Sequence, residues 1–243
     1  MSALLSIAGV SKSLWRGATE LVVLENVSLD IHPGELVAVW GQRGSGKTTM
    51  ALVAAGLEPP DKGSVSFDSR DLALGSRGRR GSVHPEIGWV QRMGPQSSDV
   101  QTVVDYLTIP LLGDHSARKA RRLASAMLAR LGVADCVGRR WESLTDGERT
   151  LVAIAHALVR EPRLLIADDP TSNLNVLQRE EVTGLLRRAA DEEGLAILMM
   201  VPDMPTMAYA DRVGSLSDGR LAMGNAPEPS RNVIDFPGTQ RSA

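Results

Sequence analysis

Gly41-Gln42-Arg43-Gly44-Ser45-Gly46-Lys47-Thr48 decides how this chain is read. A glycine, four residues and then Gly-Lys-Thr is the spacing of a phosphate-binding loop, and the flanking sequence matches what such a loop requires. Before it, Glu35 to Trp40 reads as an apolar strand. After it, the pattern from Lys47 to Leu57 is helical, with Pro59 and Pro60 expected to stop the helix because neither imide donates the next hydrogen bond. The glycines let successive N–H groups turn inward on phosphate oxygens, and the helix N-terminus adds partial positive charge. Lys47 is placed to reach the β- and γ-phosphates. The Thr48 hydroxyl is placed to ligate a Mg²⁺ that also takes phosphate oxygens and water. Gly41, Gln42, Arg43, Gly44, Ser45, Gly46, Lys47, Thr48 and Thr49 are therefore the candidate nucleotide-binding residues.

Outward from the loop, Leu4 to Val10 and Leu21 to Ile31 read as strands that form an antiparallel sheet ahead of the first helix. Short apolar runs recur at Ser64–Phe67, Ile87–Val90, Leu164–Ala167, Leu195–Val201 and Val213–Leu216, separated by longer helical stretches. That alternation is an α/β order. Between Thr102 and Arg160 no strand is expected, and helical periodicity runs over Ala117–Leu131 and again over Glu148–Val159; Pro95 to about Leu144 reads as an inserted helical subdomain. A further helix is expected to open with Asn175 as its cap and Gln178 three residues later, and to end near Gly194. Residues 225–243, rich in Pro, Ser, Asn and Gly, are expected to form a tail, leaving 1–224 as one domain. The strand Leu164 to Ala167 runs into Asp168 and Asp169. With a phosphate loop elsewhere in the chain, Asp168 is placed to hold Mg²⁺ through water and Asp169 to orient or deprotonate an attacking water.

Composition bounds the rest. Of 243 residues, 43% are hydrophobic and 23% charged, which excludes a disordered chain, and 27 basic against 29 acidic residues argue against a basic nucleic-acid-binding surface. Arg77 to Arg80 and Arg118 to Arg122 read as solvated faces. The single cysteine, Cys136, makes no internal disulfide, and a reducing compartment fits. No apolar stretch approaches the roughly 18 residues of a membrane span, and the first residues lack the pattern of a secretory signal, so a cytoplasmic location is expected. The four histidines, His32, His84, His115 and His156, show no metal-ligand spacing and are assigned to no site.

The order of these pieces resembles the nucleotide-binding subunit of the ATP-binding cassette (ABC) superfamily over roughly residues 3–224. The resemblance is carried by Val23-Leu24-Glu25-Asn26-Val27-Ser28-Leu29, by Leu144-Thr145-Asp146-Gly147-Glu148-Arg149 at the signature position, and by Ala167-Asp168-Asp169-Pro170-Thr171-Ser172-Asn173-Leu174-Asn175. The last segment is most similar to the subfamily that serves lipoprotein-releasing, macrolide-export and cell-division membrane subunits. The resemblance implies a P-loop ATPase core with an N-terminal antiparallel β subdomain and an inserted helical one. It implies ATP and Mg²⁺ as ligands, and a dimer, with itself or with another cassette, that sandwiches two ATP molecules. Each ATP then lies between the phosphate loop of one subunit and Thr145 and Gly147 of the other. It also implies a membrane-spanning permease partner, a peripheral place on the cytoplasmic face of the membrane, and a docking surface for the permease at Met93 to Val100 and the helical subdomain.

Several positions depart from the family pattern. Asp169 stands where the family has a catalytic glutamate, and the lost methylene withdraws the carboxylate by about 1.5 Å. Pro202 stands at the place of a histidine that contacts the γ-phosphate and offers neither imidazole nor N–H. Asp146 replaces a glycine. A carboxylate about 5 Å from phosphate would cost roughly 3 kcal/mol per phosphate charge at an effective dielectric near 20, unless it turns away or pairs. Thr145 and Glu148 also have the spacing of a capping box. The magnesium-sensing glutamine is expected one residue later than Gln91, where Arg92 stands, and a shift of loop register makes Gln91 the candidate ligand for nucleotide and Mg²⁺. Trp15 lies one residue from the expected adenine platform, and packing on the N-terminal sheet is its plain alternative. Asn175 replaces an acid of the expected dimer contact. The functional expectation is an ABC-type ATPase whose hydrolysis is slow or partner-dependent, with a regulatory pseudo-ATPase that holds ATP without turnover as the alternative. A GTPase is disfavoured because no Asn-Lys-x-Asp segment follows the loop, and a DNA-repair or translation cassette because zinc or coiled-coil insertions are lacking.

Overall fold

A computed structural model describes residues 2–72, 83–90, 102–172, 174–202 and 205–225. The central layer is a six-stranded sheet built from β3 (Leu36–Trp40), β6 (Ile87–Val90), β7 (Leu164–Asp168), β8 (Ala196–Val201), β9 (Arg212–Ser217) and β10 (Arg220–Asn225), in the order β10-β9-β3-β8-β7-β6. All neighbours are parallel except the β9–β10 hairpin at one edge. β7 and β8 are buried along their whole length. This is why both read as unbroken apolar runs rather than as alternating ones.

The alternation survives as a division between two cores. Leu36 and Ala38, Leu165 and Ala167, and Ile197, Met199 and Val201 face α2 (Val103–Thr108), α3 (Ala117–Arg130), α4 (Asp146–Leu158) and α5 (Val176–Glu193). Val37 and Val39, Leu164 and Ile166, and Ala196, Leu198 and Met200 face the other way. There they meet Met50, Ala51, Val53 and Ala54 of α1 (Lys47–Ala54) and the second sheet. That sheet is antiparallel, in the order β2-β1-β4-β5, from β1 (Leu5–Arg16), β2 (Thr19–Ile31), β4 (Lys62–Phe67) and β5 (Arg70–Asp71). α1 is thus packed between two sheets, and the loop that precedes it is held from both sides.

Several expectations change. α1 ends at Ala54, not Leu57, and glycine rather than proline stops it. Gly56 takes φ +70°, its N–H donates to the Val53 carbonyl at 3.0 Å, and the Leu57 N–H donates to the Leu52 carbonyl at 2.9 Å. These two bonds are a Schellman closure, which satisfies the last carbonyls before the prolines are reached. β1 runs on to Arg16, well past Val10. β10 was not expected: Asp218 and Gly219, both at positive φ, turn the chain into a hairpin that pairs Ser217 with Arg220. Asn225 therefore ends a strand instead of opening a tail, and residues 226–243 lie outside the described residues. The described part of the helical insertion, 102–144, carries no strand. α5 opens and closes as read, with Asn175 and Gln178 in a reciprocal capping box and Gly194 in the left-handed conformation.

Candidate functional site

Strand register builds the site. β3 and β8 pair Trp40 with Val201, and β7 and β8 pair Asp168 with Met200, so the next residues out of the strands, Gly41, Asp169 and Pro202, emerge together at one edge of the sheet. Crevices beyond the carboxyl ends of parallel strands are where α/β sheets take ligands. Here a cavity of about 450 Å³ is lined by Gly41–Gly44, Gly46–Thr49, Asp168, Asp169 and Pro202, with Leu14, Leu21 and Val23 as an apolar wall.

The loop is shaped by contacts that only glycine permits. Gly46 sits at φ +105°, and a Cβ there would lie 2.6 Å from the Val23 carbonyl oxygen. Gly46 has no side chain to cap α1, and no acid stands in the first turn of that helix. The first-turn N–H groups, which no α-helix can satisfy internally, are therefore not capped by a side chain or an acid of their own turn. Lys47 Nζ donates to the Gly41 carbonyl and, at 3.1 Å, to the Gln42 carbonyl. Partial burial pushes its pKa down, while Asp169 and Asp168 pull it back up. The ammonium thus rests on its own loop, between the phosphate cradle and the two acids.

Asp168 is 6% exposed at the end of β7. Asp169 follows at φ +53°, a left-handed conformation rare for non-glycine residues, and its N–H donates to the Met200 carbonyl at 3.1 Å. The strained backbone turns the second acid out of strand alternation, so that both carboxylates line one cavity. Among the described residues no group of three His, Cys, Asp or Glu could hold a metal by itself. A cation here would take Thr48 and Asp168 and complete its shell from nucleotide oxygens and water, the usual chemistry of Mg²⁺.

Leu14 and Leu21 are cross-strand partners of the β1–β2 hairpin and form the apolar side of the cavity. Sequence reasoning missed both: Leu14 lies beyond the strand expected to end at Val10, and nothing local shows the hairpin that folds over the loop. Trp15, next along the strand, is 70% exposed and does not line the cavity. Gln91, Arg92, Asn173, the Met93 to Val100 segment and Arg77 to Arg80 lie outside the described residues.

Thr145 and Gly147 do not line this cavity either. They open α4, where Thr145 and Glu148 form the capping box. Glu148 Oε2 accepts from the Thr145 N–H at 2.7 Å. That bond, with help from Arg139 and the Thr145 hydroxyl, holds the Glu148 carboxyl down at about 2 despite desolvation. Gly147 is packed against the Gln178 side chain of α5. The Asp146 carboxylate pairs with Arg149 at 3.4 Å, three residues along the same helix.

Residues 24–172 match the family model described as ABC transporter. The chain is 34% identical over 221 residues to a lipoprotein-releasing system ATP-binding protein LolD of Pseudomonas syringae pv. tomato, covering 90% of this chain and 97% of that protein. It is 32% identical over 237 residues to a macrolide export ATP-binding/permease protein MacB of Syntrophobacter fumaroxidans, covering 94% of this chain and 33% of that larger one. Among solved structures, the dimeric ATP-binding cassette MJ0796 bound to ADP and Pi superposes with a TM-score of 0.84 at 25% identity, covering 91% of this chain and 98% of that one.

Proposed function

The chain belongs to the ABC transporter family and is an ATP-hydrolysing, ATP-binding subunit of that type, and from this premise we propose how its own residues do the work. The observation that carries the reading is that Gly41–Gly44 and Gly46–Thr49 line one cavity with Asp168 and Asp169. The first-turn N–H groups of α1 and the Lys47 ammonium take the β- and γ-phosphates, with Lys47 leaving the loop carbonyls of Gly41 and Gln42 for the ligand. Leu14 and Leu21 give the base an apolar wall, with the exposed Trp15 beside it. Bound Mg²⁺, held by Thr48 and Asp168 with Gln91 as a further candidate, would neutralise charge on the phosphates. Asp169 orients the attacking water and accepts its proton.

Thr145 and Gly147 complete the site of a second cassette. The partner proposed is another copy of this chain, with a different cassette as the alternative. The cassettes drive a membrane-spanning permease from the cytoplasmic face of the membrane. No described helix is long and apolar enough to cross a membrane. The rival regulatory pseudo-ATPase finds no support among the relatives. The finer proposal is that Asp169 and Pro202 slow hydrolysis. Phosphate release by the purified chain in MgATP tests the reading: Asp169→Asn should abolish it while binding persists, and unchanged release would remove Asp169 from its role.

A further inference from the structure

Arg139 lies between two single helical turns, Ala134–Cys136 and Trp141–Ser143, outside every motif that the sequence singles out. Its backbone carbonyl accepts from the N–H of Val103, the first residue of α2, at 2.9 Å. Its guanidinium Nη1 donates to Glu148 Oε1 at 2.6 Å, and Nη2 donates to the Ser143 carbonyl. The other Glu148 oxygen is occupied by Thr145, accepting from its N–H at 2.7 Å and from its hydroxyl at 3.0 Å. Arg149 completes the arrangement from the α4 side. Its Nε donates to the Trp141 carbonyl at 3.4 Å and its Nη2 to the Glu142 carbonyl at 3.2 Å. The three carbonyls of the turn before Thr145 are therefore each taken by a guanidinium.

We propose that Arg139 is a positioning residue for the Thr145–Gly147 segment, fixing the Thr145 hydroxyl and amide through Glu148 and tying them to the start of α2. The proposal rests on the reading of that segment as the part facing a second cassette's nucleotide. A planar fork is needed to reach Glu148 and the Ser143 carbonyl together, which the single ammonium of lysine cannot do. Glu148 stays ionised at any pH near neutrality, so the link is constant and mechanical rather than a titrating switch. A displacement of α2 would be carried to Thr145 through one residue.

Three measurements on the full chain test this: calorimetric MgATP binding, sedimentation of dimer against MgATP concentration, and KM and kcat for phosphate release. Arg139→Ala should leave single-chain binding unchanged, because none of the polar partners Cys136, Glu148, Ser143 and Val103 lines the cavity, while raising KM and the MgATP needed for half-maximal dimer by about fivefold to tenfold. Arg139→Lys should recover part of the loss. Glu148→Gln, which keeps the packing and removes the charge, should move the same two quantities in the same direction. A merely structural role would lower the thermal midpoint and leave KM and the dimerisation midpoint where they were, and that result overturns the inference. A parent that binds MgATP but never dimerises overturns the reading beneath it as well.

Discussion

Replacing Asp169 with Glu and Pro202 with His in one chain should raise phosphate release by about tenfold to a hundredfold. Both positions line the cavity at the ends of neighbouring strands, so the new groups enter the same space. The extra methylene advances the carboxylate by about 1.5 Å, and a misplacement near 1 Å costs on the order of a hundredfold in rate. The gain has a structural cost. Asp169 sits at φ +53°, where a short polar side chain is tolerated better than a longer one, so Glu should lose on the order of 1 kcal/mol of stability. For a chain of this size that lowers the melting midpoint by about 2–4 °C. The assay is steady-state phosphate release in MgATP for the parent, both single variants and the double variant, beside thermal melts of each. If the parent already turns over as fast as the double variant, Asp169 and Pro202 are not lesions and another group places the water.

Gly46→Ala should weaken MgATP binding more than tenfold in calorimetry, because its Cβ would lie 2.6 Å from the Val23 carbonyl oxygen and φ +105° strains an alanine by about 1–2 kcal/mol; parent-like affinity would refute the loop geometry. His156, stacked on Tyr106 with ring centroids 4.0 Å apart, has its pKa lowered by burial from 6.5 to about 4. Between those values the unfolded chain binds a proton that the folded chain does not, so stability should fall as pH drops through that window, by at most about 3 kcal/mol. Urea denaturation at pH 7 and pH 4.5 should show a smaller fall for His156→Phe, and equal falls in both proteins would contradict the assignment.

What could be read from the sequence was local. Gly41–Thr48, the Asn175–Gln178 cap and the Ile87–Val90 strand are each specified within a few residues, and the structure realises all three as described elements. Asp218-Gly219 is a local hairpin signal, but Arg220–Asn225 after it alternates only weakly, so β10 is faint in the sequence. Gly56 is likewise a local stop signal for α1, three residues ahead of Pro59. Leu14 and Leu21 could not be found this way, since what brings them to the cavity is a β1–β2 hairpin whose turn lies far along the chain from the loop. Arg139 was hidden for the same reason. Its partners Val103 and Glu148 sit on two different helices, and no spacing rule links the three.

The central claim is that Gly41–Thr49 grips a nucleotide through Lys47, and a calorimetric titration of MgATP into the parent and into Lys47→Ala tests it most directly. The parent should bind one nucleotide per chain saturably and the variant should lose at least about tenfold in affinity, since a charge-assisted bond to phosphate is removed. Equal affinity in the two proteins would contradict it.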